Sequence, residues 1–360
     1  MNQSKATRFI KLECLRGFAA IYVVLHHNVK FGYDVLGINL GELFRFGQEA
    51  VILFFLISGF VIYYSYSRNP SQSFWNYFKK RTLRIYVPLI LVFLIGYLLE
   101  CLATGTVYVI DYKVLMLNFA MLQDWSFARP NTIVEPFLGN TPLWSLAYEW
   151  WFYMLFFPIM LLTQRIGLKN YHIYLISIAA TLIYCVYPYI VPRILSYFSI
   201  WWVGVKLADD YLSGRTLSFD NCVWTIVALA TISGIYLIAS ILSLGSGASF
   251  SLGKHPFIEL RHFAFALFVL CASILWGKLN WRFFEGIFRP FLVFAPISYV
   301  VYISHYYLVT NASYLSSINN RILELVLYTV IMLAISWVIE LRIYPMVLKL
   351  VGRSKGLTTT

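Results

Sequence analysis

Apolar residues along the chain fall into runs of about 20, and a helix of that length crosses a hydrocarbon core of about 30 Å. Short polar or basic segments separate the runs. The pattern predicts ten helical spans, at residues 12–30, 47–66, 84–102, 141–162, 171–190, 193–209, 221–244, 258–276, 291–311 and 322–344. The fifth and sixth form the tightest pair, divided only by the Pro188 to Pro192 turn. The longest loop, 103–140, holds the moderately apolar piece Val114–Leu122. That piece is too short to span and is expected to lie in the interface or re-enter the membrane. The fold class is all-α, a polytopic membrane bundle of about ten helices.

Composition supports this layout. The 360 residues are 60% hydrophobic and 12% charged, with a mean hydropathy of +0.71. A soluble domain carries about twice that charged fraction. The expectation is one membrane-embedded domain over 1–360 with no appended soluble domain. The basic start MNQSKATRFIKLE resembles the beginning of a signal peptide, but no small-residue cleavage site follows the first apolar run. That run reads as a retained span.

The net charge of +12 does not point to nucleic acid, because the cations sit in short loops between apolar runs. Their distribution orients the chain. With the N-terminus inside, 20 of the 28 Lys and Arg fall on the inner side. The outer eight are Lys30, Arg45, Lys113, Arg129, Arg193, Lys254, Arg261 and Arg321. This asymmetry predicts both termini in the cytoplasm. Cys14, Cys101, Cys185, Cys222 and Cys271 are isolated in or beside apolar runs, with neither metal spacing nor a disulfide framework. Neither HxxxH nor HExxH occurs, so no metal site is expected.

Polar groups inside a span are costly and mark function. The first span contains LRGFAAIYVVLHH, from Leu15 to His27. Arg16 and His27 are close to three turns apart and share a face, separated by roughly 16 Å of helix. His26 points about 100° away. The second span holds FFLISGF, where Ser58 and Gly59 allow either tight backbone packing or passage of an acyl chain. The loop after it reads FWNYFKKRTLRIYVPL, placing Lys80, Arg81 and Arg84 on one helical side. These are positive-inside anchors or a phosphate cradle. The fourth span opens WSLAYEWWFY, with Glu149 among aromatics and Ser145 one turn before it. A carboxylate there needs a partner or a function. Trp144 and the neighbouring aromatics suit a membrane-interface belt. The ninth span, ISYVVYISH, carries His305, with Tyr302 three residues earlier. His172, His255 and His262 read as loop or interface residues without a role. No GxSxG elbow marks a serine hydrolase. No matched pair of broken helices marks a transporter built from repeats.

Taken together these motifs are similar to those of acyltransferase family 3, bacterial membrane enzymes that acylate surface glycans. The resemblance covers nearly all the chain. It rests on an Arg followed, after ten intervening residues, by a His in the first span, a count that selects His27 over His26. It rests also on FFLISGF, the basic KRTLRIYVP, WSLAYEWWFY and ISYVVYISH in that order. One departure stands out. The family often has an Asp just before the FF pair, where this chain has Ile52 and its nearest acid is Glu49, one turn earlier.

The resemblance implies an inner-membrane O-acyltransferase, most simply an O-acetyltransferase. It would take its acyl group from cytoplasmic acyl-CoA, a cosubstrate rather than a resident cofactor. The acceptor would be a sugar hydroxyl of a surface or exported polysaccharide, or of its lipid-linked precursor. Lys80, Arg81 and Arg84 would meet the CoA phosphates. His27 would be the base. Glu149 would orient His27 or pair with Arg16, and Arg16 would hold a phosphate or steady the thioester. His305 would be a second base or a substrate contact. Ser58, Gly59, Trp144, Ser145 and Tyr302 would line the channel. Direct transfer in a buried cavity is simpler than an acyl relay, for which no nucleophile stands out. The competing reading is a proton-coupled glycan or lipid transporter that uses Arg16, His27 and Glu149.

Overall fold

The structure is a computed structural model that describes residues 3–29, 34–35, 38–247 and 249–353. The side chains of Lys5, Arg8, Lys30, Arg353 and Lys355, part of the charge count, lie outside the described residues. Among the described residues, ten long helical rods can be traced. They are α1 (Gln3–Asn28), α2 (Gly47–Ser67), α3 (Phe74–Thr104), α4 (Trp144–Ile166) and α5 (Asn170–Val186). They continue with α6 (Ile190–Leu212), α7 (Phe219–Gly245), α8 (Phe257–Lys278), α9 (Phe284–Thr310) and α10 (Arg321–Gly352). The strand content among the described residues is one antiparallel pair of two-residue strands, Asp34–Val35 with Ile38–Asn39.

Among the described residues, seven helices are long and apolar enough to cross a membrane: α2, α3, α4, α7, α8, α9 and α10. The other three depart from that pattern for physical reasons. α5 is apolar but has only 17 residues. α6 is buried along most of its length, so it carries Arg193, Lys206 and Asp210 without exposing them to lipid. α1 holds Glu13 and Arg16, which pair with each other.

Helix ends follow local chemistry. α3 begins ten residues before the predicted span, because Ser73 caps it by accepting from the Asn76 amide at 3.3 Å. Hydropathy sees only the apolar part of this helix. Its basic first turns belong to the same rod. Gly105 ends it in the left-handed conformation at φ 66°.

Two close approaches set the packing. A Cβ on Gly59 would stand 2.0 Å from the Trp201 carbonyl oxygen, and one on Gly204 would stand 2.0 Å from that of Leu56. The backbones of α2 and α6 therefore touch, as small residues allow between membrane helices. Gly17 of α1 lies equally close to the Phe291 carbonyl oxygen of α9. Gly59 thus packs α2 onto α6. Gly59 itself is not among the residues lining the two cavities described below, whereas its neighbour Ser58 lines one of them.

The loop 105–143 neither spans nor floats. Its short helix Tyr112–Phe119 exposes Tyr112 and Met116. The segment after it plugs into the bundle and buries Gln123, Asp124, Arg129 and Asn140.

Candidate active site

Two of the cavities share Tyr302 in their walls. The inner one, nearer the chain termini, has a volume of about 160 Å³. Arg16 (α1), Ser58 (α2), Arg81 and Arg84 (α3), Ser145 and Glu149 (α4) and Tyr302 (α9) all line it. Side chains as far along the sequence as Tyr302 are thereby brought to one cavity with Arg16 of the first span. The outer cavity, at the opposite end, has about 80 Å³ and is lined by His26, His27, Gln48, Trp125, Trp144 and Tyr302 among others.

The three inner arginines differ in how they are held. Arg16 donates to the Ala295 carbonyl at 2.8 Å and pairs with Glu13 at 2.6 Å. Arg84 pairs at 2.5 Å with Glu340, which is only 3% exposed. Arg81 lies over the rings of Tyr77 and Tyr153, 5.5 and 5.9 Å from their centroids. Among the described residues it has no ion pair. A guanidinium in a cavity with no carboxylate of its own is a ready partner for a phosphate. Lys80, expected beside these residues, is exposed and outside the cavity wall.

Glu149 faces neither partner expected for it. Its carboxylate accepts from Ser58 Oγ at 2.8 Å and from the Tyr153 hydroxyl. Trp201 Nε1 donates to the same Ser58 Oγ at 3.2 Å. Neither the His27 nor the Arg16 contact forms. His27 lies in the outer chamber, and Arg16 is taken by Glu13. Arg16, His27 and Glu149 make no direct hydrogen bond or ion pair with one another among the described residues.

In the outer chamber His27 has no hydrogen-bond partner among the described residues. Its ring packs 5.2 Å from that of His305 and 5.0 Å from that of His26. His305 is fully buried, and its Nδ1 donates to the Tyr302 carbonyl at 2.6 Å. That fixes the tautomer and leaves Nε2 a bare acceptor with no partner. His26 is not idle. Its Nδ1 donates to the Phe44 carbonyl at 2.6 Å, and its ring fills the space beside Gly47.

Sequence reasoning missed several residues. Glu340 sits in a π-turn, Ile339–Ile343, that interrupts α10. A second π-turn, Tyr306–Thr310, follows His305. Such turns occur often at functional sites. The missed signal was a carboxylate deep in the last apolar run, sixteen residues after Glu324 at its start.

His262 is not a loop or interface residue. It is fully buried, accepts from the Tyr197 hydroxyl at 2.7 Å, donates to Gln48 Oε1 at 3.1 Å and stacks on Trp144. Trp144 is thereby a wall of the outer chamber rather than an interface anchor. Glu49 is occupied by Arg261 at 2.5 Å and lies outside both cavity walls. Behind Trp144, Asp124 holds both Arg129 (3.2 Å) and Arg193 (2.9 Å), all three fully buried. No cluster of three or more metal-ligating side chains occurs among the described residues.

Comparison with known proteins agrees with the motif order. The family described as an acyltransferase domain matches residues 9–341. The chain is similar to the acyltransferase MdmB of Streptomyces mycarofaciens, 31% identical over 194 residues, which are 52% of this chain and 48% of that protein. It is also similar to nodulation protein 10 of Rhizobium leguminosarum bv. viciae, 31% identical over 167 residues, 42% of this chain and 44% of that protein. The matched stretches thus span less than half the length of each relative. No solved structure matches the chain.

Proposed function

The chain belongs to the acyltransferase family 3 membrane proteins, and from that membership and its two chambers we infer that it carries an acyl group across its own width. It is a multi-pass membrane protein and an acyltransferase. The donor in this reading is acyl-CoA, most simply acetyl-CoA, entering the inner chamber from the cytoplasmic side of a bacterial inner membrane. The acceptor is a hydroxyl of a surface or exported polysaccharide, or of its lipid-linked precursor, at the outer chamber.

One observation carries this reading: Arg81, without an ion pair among the described residues, lines the inner chamber, and His27, without a hydrogen bond among the described residues, lines the outer one. Arg81, with Arg84 and Arg16, offers the forks that bind phosphate and polarise a thioester carbonyl. His27 removes the proton of the acceptor hydroxyl as its oxygen attacks the acyl carbon. The carbon–sulfur bond then breaks and CoA leaves as the thiol or thiolate. His305, with its bare Nε2, stands beside His27 to share that proton. Glu149 acts on the donor side, holding Ser58 and Tyr153 around the reacting group.

The test compares surface and exported glycans of a deletion strain with the parent by NMR. Loss of an O-acyl signal, restored by the intact gene and not by His27→Ala, supports the reading. An unchanged acylation pattern overturns it. Transport coupled to a proton gradient is the competing outcome, and an uncoupler separates the two. Acyl transfer in vesicles supplied with acetyl-CoA should continue when the gradient collapses.

A further inference from the structure

We propose that Tyr302 is a movable partition between a donor chamber and an acceptor chamber, and that it sets which acyl groups cross. The identity of what crosses rests on the acyl-transfer reading above. The partition itself rests on geometry.

Tyr302 is the residue common to both cavity walls. It projects from α9 toward the start of α4. Its hydroxyl donates to the Pro142 carbonyl at 2.7 Å and accepts from Ser145 Oγ at 2.8 Å. Its ring lies 5.6 Å from Phe54 on the inner side and 5.9 Å from His305 on the outer side. The strike plate is fixed independently: Asn140 Nδ2 donates to the Ile303 carbonyl at 2.8 Å, and the Tyr307 hydroxyl to the Phe137 carbonyl at 2.6 Å. The turn that carries Pro142 is thus bound to the helix that carries Tyr302, so the bolt and its seat move together.

The reacting groups are on opposite sides of this ring. Ser58, Glu149 and the arginines are inside, and His27 is outside. A thioester anchored by phosphate inside meets Tyr302 before it meets His27. Two neutral hydrogen bonds are a modest anchor, so a rotation of the side chain opens the way while the helices stay packed. The closed ring keeps water at the outer end from the thioester. The outer chamber has about half the volume of the inner one, about 80 against 160 Å³. Short acyl groups are therefore the ones that clear the ring and still leave room for an acceptor hydroxyl.

The test reads the partition without relying on catalysis. In a chain with its five cysteines replaced by alanine, Ser58→Cys reports the inner chamber and His27→Cys the outer one. A small membrane-impermeant thiol reagent is applied from the face opposite the termini. His27→Cys should react whether residue 302 is Tyr or Ala. Ser58→Cys should react at least about tenfold faster when Tyr302→Ala is added, with Tyr302→Phe in between. Three results overturn the proposal: equal reactivity of Ser58→Cys with Tyr and Ala at 302; no reactivity in Tyr302→Ala while His27→Cys reacts; and no reactivity of His27→Cys from that face.

A second arm measures transfer from acetyl-, butyryl- and hexanoyl-CoA in the cysteine-containing protein. Tyr302→Ala should raise the hexanoyl-to-acetyl ratio by about tenfold or more and release CoA without acceptor. An unchanged chain-length profile overturns the specificity role. If the unaltered protein transfers no acyl group while the labelling pattern holds, the acyl-transfer reading falls and the partition stands.

Discussion

Arg81 and Arg84 stand one helical turn apart on α3 and line the same chamber, yet removing them should damage different things. Arg84 is paired at 2.5 Å with Glu340, and the side chains are 33% and 3% exposed. Truncating Arg84 leaves a buried carboxylate alone. Breaking a fully buried pair costs about 3–5 kcal/mol, and the partial exposure of Arg84 lowers this to about 2–3 kcal/mol. That corresponds to a fall in Tm of roughly 4–8 °C. Arg81 has no carboxylate to orphan and rests on Tyr77 and Tyr153. Losing that stacking costs about 0.5–1 kcal/mol. Arg81→Ala should instead lose one charge-assisted contact to a CoA phosphate, about 1.5–3 kcal/mol, or a rise in KM for acyl-CoA of roughly 10- to 150-fold.

The assay pairs thermal unfolding in detergent, read by fluorescence, with acetyl transfer at varied acetyl-CoA. Arg84→Ala should unfold early, and the double variant Arg84→Ala/Glu340→Gln should regain most of the lost Tm. Arg81→Ala should unfold near the parent temperature with a high KM. Equal Tm losses for the two single variants, or no recovery in the double variant, would refute the reasoning.

Other outcomes follow from the same contacts. His27→Ala should lower transfer by roughly 10²- to 10⁴-fold with Tm unchanged, because the ring makes no hydrogen bond among the described residues; His26→Ala should instead cost about 1 kcal/mol of stability through its lost bond to Phe44, read by the same thermal assay. Asp124→Ala strands Arg129 and Arg193, both 0% exposed, and should cost about 3–5 kcal/mol, seen as loss of monodisperse protein on size exclusion. Gly59→Ala should cost about 1–3 kcal/mol through its clash with the Trp201 carbonyl, with KM for acyl-CoA unchanged in the protein that folds.

The long apolar runs were legible because length and hydropathy are local properties. The positions of Arg16 and His27 on one face of α1 were legible too, and they now serve the inner and outer chambers. The partners of Glu149 were not legible. Ser58 reaches it from 91 residues away, and no spacing rule joins two helices that meet only in the fold. Basic residues misled in an instructive way. Arg129, Arg193 and Arg261 counted against the orientation as outer cations, yet each is committed to a carboxylate, Asp124 or Glu49. They answer to burial and not to topology. Glu340 was passed over because a periodic reading assumes an unbroken α-helix, whereas a π-turn at that point shifts which residues face inward. His262 was misread because a histidine near a helix start looks like a surface residue until Trp144, Tyr197 and Gln48 are placed around it.

The central claim is that donor and acceptor meet from opposite sides of one protein. Its most direct test is a proteoliposome with labelled acetyl-CoA confined to the face that bears the termini and a polysaccharide acceptor confined to the other. The account predicts label on the acceptor, lost in His27→Ala and restored in Arg81→Ala by raising acetyl-CoA. Transfer only when both substrates share one face, or undiminished transfer by His27→Ala, would contradict it.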